Sequence, residues 1–135
     1  MIVAACSLAI IAAACWGGAT PTPQAAAEIA VCTSLTEFSA RIDQIKALDP
    51  ATVTAQGVAA QLGQLSTAWT AVKTSLEGVK VADEAALTAA WAGGKTAVEN
   101  IPTNVPIATA VAGLKVAVAP IGVAVGEMKN GMNCQ

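Results

Sequence analysis

Four runs of apolar residues recur along the chain in alternating steps of three and four, and no other feature limits the fold so tightly. The first run is Val31, Leu35, Phe38, Ile42 and Ile45. The second is Val58, Leu62, Leu65, Trp69, Val72, Leu76 and Val79. The third is Leu87, Trp91, Gly94, Val98 and Ile101, and the fourth runs Ile107, Val111, Leu114, Val118, Ile121, Val125, Met128, Met132. Steps of three and four average about 3.5 residues, which keeps one seam of a helix facing its partners when the helices wrap with a left-handed twist. No single helix can bury its own seam, so four seams specify a bundle. The predicted fold is all-α: an up-down four-helix bundle with left-handed heptad packing.

Breaker residues fall between the runs. Asp49-Pro50 reads as a helix N-cap followed by proline at the first helical position. Gly78 ends or loosens the second helix, and Asp83-Glu84 opens the third with acids at its positive end. Pro102-Thr103-Asn104 separates the third helix from the fourth. Connections this short make neighbouring helices antiparallel. Pro120 lies inside the fourth run, but the heptad phase is kept across it, so a kink is expected there and not a break.

Composition excludes several function classes. At 135 residues the chain suits one domain. Only 12% of its residues are charged, about half the roughly 25% usual in soluble domains, and its seven Lys and Arg are scattered singly. With a net charge of −2 and no basic stripe, nucleic-acid binding has no footing. There is no histidine, which removes the commonest general base and the commonest transition-metal ligand together. None of the nine acidic residues falls on a seam, and no catalytic triad, phosphate loop or metal-ligand spacing is present. Glu37/Arg41, Lys73/Glu77 and Lys95/Glu99 read as surface pairs four residues apart. The chain is expected to have no catalytic residues, no metal and no cofactor.

The first 14 residues are uncharged and apolar, and Cys15 follows three alanines. Such a run is shorter than the roughly 20 residues that span a bilayer, yet it is long enough for a signal-peptide core with a small-residue cleavage site. Trp16-Gly17-Gly18-Ala19-Thr20-Pro21-Thr22-Pro23-Gln24 then reads as linker. This segment resembles a bacterial lipoprotein leader, in which the cysteine after the apolar core is lipidated and becomes the mature N-terminus. The resemblance makes Cys15 the lipidation candidate and the membrane a partner through its anchor. It divides the chain into a leader (1–14), an anchor cysteine with linker (15–24) and a bundle (25–135). Two other outcomes stay open: a leader cleaved to release a secreted protein, or one retained as an uncleaved anchor. All three place the bundle outside the cytoplasm, and Trp16 would lie at the membrane–water boundary.

Four cysteines allow three pairings. If the leader accounts for Cys6 and Cys15, Cys32 and Cys134 remain near the two ends of the bundle, where an oxidising compartment allows them to bond. The alternative is two unrelated buried thiols. In an up-down bundle the first helix starts and the last ends at one pole only when the helix number is even, so a Cys32–Cys134 bridge favours four helices over three.

Trp69 and Trp91 both fall on seams, and Gly93-Gly94 follows Trp91 by one turn. One reading is core packing, with Gly94 admitting a bulky neighbour. The other is a small apolar ligand cavity lined by Trp69, Trp91 and Gly94. Val53, Val105, Val116 and Val123 fall off the seams, so there is more apolar surface than narrow seams bury. Ala- and Thr-rich faces of this kind suit self-association or docking on an envelope protein. The region from Ala25 onward is similar to the small, Ala-rich, cysteine-framed helical proteins that bacteria export. That likeness rests on "VCTSL", "IKALDPATV", the Trp of the second helix and the terminal "GMNCQ", and it implies no catalytic residues. Two functions are expected from it: a non-catalytic cell-envelope interaction module, or an extracytoplasmic carrier or sensor for a small apolar molecule.

Overall fold

The computed structural model describes residues 22–135. They form four helices: α1 (Pro23–Lys46), α2 (Ala55–Leu76), α3 (Glu84–Glu99) and α4 (Ile107–Gly131). The architecture is the expected all-α four-helix bundle, with no strand among the described residues.

The helix starts explain where the sequence boundaries move. α1 begins at Pro23 because Thr22 is its N-cap: the Thr22 hydroxyl accepts from the Ala25 N–H at 3.2 Å. Pro23 sits at the first helical position, where its fixed φ suits the helix and its missing N–H costs nothing. Residues that read as the end of a linker therefore cap the helix. The Asp49-Pro50 expectation is corrected in the opposite sense. The Asp49 carboxylate accepts from the Ala51 N–H at 2.9 Å and closes a turn between α1 and α2. Thr54 caps α2, accepting from the Gly57 N–H at 3.0 Å. This places Val53 and Val58 at the two positions of a hydrophobic staple. Asp83 precedes α3 without a side-chain cap bond, and Glu84 supplies the acid in its first turn. α4 runs unbroken through Pro120.

The first seam is buried throughout, and the other three are buried in part. All five residues of the first run are the buried residues of α1. Leu65, Trp69, Val72 and Leu76 are buried on α2, and Leu87 and Gly94 on α3. α4 contributes eight buried residues, Ala117 and Ala124 among them. At 25 residues and a mean hydropathy of 1.9 over its most apolar window, α4 is long and apolar enough to cross a membrane. Here it packs closely against both α1 and α3.

Helix spacing is uneven. α1 packs closely on α2, α4 on α1, and α3 on α4, whereas α2 and α3 stand apart on the remaining side. Side-chain size supplies the reason. A Cβ added at Gly94 would lie 2.5 Å from Ile121 Cδ1 and 3.0 Å from the Ala117 carbonyl oxygen, so α3 reaches α4 only because this position has no side chain. Across the α2–α3 side stand two indoles, those of Trp69 and Trp91.

The two adjacent glycines make a direct test. Gly94→Ala should destabilise the fold by roughly 1–3 kcal/mol, because the wedge meets backbone as well as side chain. A Cβ at exposed Gly93 meets nothing within 4 Å, so Gly93→Ala should stabilise by roughly 0.5–1 kcal/mol through helix propensity. Urea midpoints of the two variants should move in opposite directions; a common shift would refute the close approach of α3 to α4.

The surface pairs are only partly as expected. Lys95 and Glu99 meet at 3.7 Å. Arg41 turns away from Glu37 and donates to Gln64 Oε1 at 2.7 Å and to Gln44 Oε1 at 3.1 Å, tying α1 to α2. Lys73 and Glu77 do not pair; among the described residues the other ion pair is Lys46–Asp43, at 3.9 Å.

Candidate functional site

At one pole the chain ends are joined. Cys32 and Cys134 form a disulfide with Cα atoms 5.3 Å apart, closing 102 residues of sequence. Local backbone chemistry brings Cys134 there. Asn133, just past the end of α4, takes a left-handed conformation with φ 54°. The Asn133 N–H donates to the Asn130 carbonyl at 3.2 Å, and the Cys134 N–H reaches back to that of Lys129 at 2.9 Å. These two bonds are the Schellman termination of a helix, and asparagine is the residue other than glycine that most readily adopts the required φ. The "NC" of the terminal "GMNCQ" is thus a device that turns the chain and lays the second sulfur beside α1.

Trp69 and Trp91 are brought together, as the sequence pattern suggested, but with different roles. Their rings stack at 5.1 Å and 18°, and Phe38 of α1 lies 5.8 Å from each. The three rings form one cluster linking α1, α2 and α3. Trp69 is 6% exposed and belongs to the core. Trp91 is half-buried, with its outer part forming the wall of a cleft.

This cleft runs between α2 and α3. Its inner part, about 180 Å³, lies between Leu62, Leu65 and Ser66 on α2 and Trp91, Gly94 and Lys95 on α3, over a floor of Val118 and Ile121 from α4. A second part, about 350 Å³, continues to the far pole past Val58, Ile101, Val105 and Ile107. Leu62 and Val98 line both parts, making one trough. The candidate cavity residues Trp91 and Gly94 therefore line it, and Trp69 does not.

The trough is made of seam residues that never close. Val58, Leu62, Trp91, Val98, Ile101 and Ile107 were all expected in the core, and all six are only half-buried. They line one continuous side because α2 and α3 stand apart there. Incomplete burial of a seam is invisible to periodicity, which reports the apolar face but not the distance to its partner.

Two further surfaces have some of the properties of a site. A depression of about 760 Å³ lies between α1 and α2, bordered by Arg41, Gln44 and Gln64 above Ala60, Ala68 and Ala71. Arg41 already spends its hydrogen bonds bridging the two helices across it, and no core residue forms its floor. The outer face of α4 exposes Val116 (74%) and Val123 (62%). Of the other off-seam valines, Val53 and Val105 are half-buried, and Val105 lines the cleft. Among the described residues no group of His, Cys, Asp or Glu is placed to hold a metal. Cys15, Cys6 and Trp16 lie outside the described residues. No protein-family model, curated protein or solved structure matches the chain.

Proposed function

We propose that this protein is a non-catalytic, extracytoplasmic helical bundle, held at a membrane through a lipidated Cys15, that acts as a carrier or sensor for a small apolar molecule. The observation that supports binding is the α2–α3 trough, where six residues spaced to be core are only half-buried. Keeping that much apolar area half in water forgoes roughly 25 cal/mol for every Å². A bundle built for rigidity alone would have closed α2 on α3. The Cys32–Cys134 bridge supports export, since such bonds persist in oxidising compartments.

A second reading, an interaction module of the envelope that self-associates or docks on another protein, draws on Val116 and Val123 of α4. They stand on the exposed face of the most apolar helix.

Intact mass of the protein from native membranes, before and after reduction with thiol alkylation, tests the placement. The expected product begins at a lipidated Cys15 and gains two alkyl groups, at Cys32 and Cys134, only after reduction. An unlipidated chain in the culture medium would remove the anchor, and thiols alkylated without reduction would remove the argument for export.

A further inference from the structure

The trough is chemically polarised along its length. On its α2 wall no residue between Asp49 and Lys73 is charged, and on the other wall none lies between Glu99 and Lys115. The part at the far pole, around Ile101, Val105 and Ile107, is therefore uncharged throughout. The only charges lining the trough are Lys95 and Glu99, in its inner part. Ser66 faces them from the α2 lip. One end offers a cation and a hydroxyl, and the other offers nothing but hydrocarbon.

Its dimensions suit a single chain. From Ser66, at the charged end, to Ala55, at the far pole, the α2 wall advances about 16 Å at 1.5 Å per residue. An extended chain advances about 1.2 Å per bond, so the trough holds roughly thirteen bonds from the head-group end.

Resting on the carrier reading above, we propose that the trough binds a single-chain amphiphile with an anionic head group, a medium-chain carboxylate being the simplest. The head lies at Lys95 and Ser66, and the tail runs past Leu62 and Val98 to Ile101 and Ile107. The Lys95–Glu99 pair does not obstruct this. At 3.7 Å, with both side chains 62% exposed, it is an ion pair of a class that contributes little, and Lys95 can turn to a second carboxylate. Glu99 stands one turn nearer the tail and opposes an anion there, so the two residues set the head-group position by attraction and repulsion.

The experiment titrates the mature protein, as isolated from its native source, with dodecanoate, dodecanol and dodecyltrimethylammonium below their micelle thresholds, following Trp emission. Dodecanoate is expected to bind most tightly. Lys95→Gln should weaken dodecanoate by roughly fivefold and Glu99→Gln should strengthen it by a similar factor, with dodecanol unchanged by either, as expected for partly screened charges. Over a series of carboxylates affinity should rise about fourfold per added CH₂ and level off near thirteen carbons. Equal binding of the three head groups, tighter binding of the ammonium, or indifference to both substitutions would overturn the anionic head and leave an apolar carrier. Saturable binding by none of the three would overturn the carrier reading itself.

Discussion

Reducing the Cys32–Cys134 bridge should lower the stability of the bundle by roughly 4–5 kcal/mol. The bond closes 102 residues, and in the chain-entropy description a loop of that length removes about that much freedom from the unfolded state. For a domain whose total stability is on the order of 5–15 kcal/mol, this is a large share. Thermal melts with and without a phosphine reductant should differ by on the order of 15 °C. The Cys32→Ser/Cys134→Ser double variant should melt with the reduced protein and ignore the reductant. A difference of less than 1 kcal/mol between oxidised and reduced protein would show that the pole is held by packing alone. The neighbouring contacts are not negligible: Val31, Leu35 and Met128 are all fully buried near that end. They are non-covalent, whereas the bridge is a covalent link from α1 to the segment that follows α4.

Truncating Trp69 should cost nearly as much. Its ring is 6% exposed, stacked on Trp91 at 5.1 Å and within 5.8 Å of Phe38. Trp69→Ala removes one of the three mutually contacting rings that join three helices, and a loss of roughly 3–5 kcal/mol is expected for a buried aromatic of this size. Trp91→Ala should cost less, because part of that ring already faces the cleft. Denaturant titrations of the two variants against the parent read the difference directly. A Trp69→Ala loss below 1 kcal/mol would sink the assignment of Trp69 to the core. Equal losses at both positions would mean that Trp91 is as enclosed as Trp69 and that the trough has no indole wall.

Much of this was legible because the relevant physics is local. A step pattern of three and four names the buried face of each helix, and the first run matches the buried residues of α1 one for one. Caps were less legible, since several residues compete for the role. Asp49-Pro50 has the composition of a helix start, yet the Asp49 carboxylate satisfies the turn at Ala51 and the helix waits for Thr54. Surface pairing was similar: Glu37 and Arg41 have ideal spacing on α1, but Gln64 on α2 presents an acceptor at 2.7 Å that no reading of α1 alone contains. At the candidate site, Trp91 and Gly94 were visible as unusual seam residues. Lys95, Ser66 and Leu62 were not, because the first two resemble ordinary surface and the third ordinary core.

The sequence by itself determined four helices and the apolar face of each, and through two cysteines near the ends of the bundle it favoured an even helix number. Only the tertiary structure decided that the bundle is unequal on its four sides. That outcome depends on what stands opposite what: Gly94 opposite Ala117 and Ile121 draws α3 onto α4, while Trp69 opposite Trp91 holds α2 away from α3. Periodicity is a property of one helix and is written along one stretch of chain. The spacing between helices is a sum of side-chain volumes from two, and it exists only once they have met.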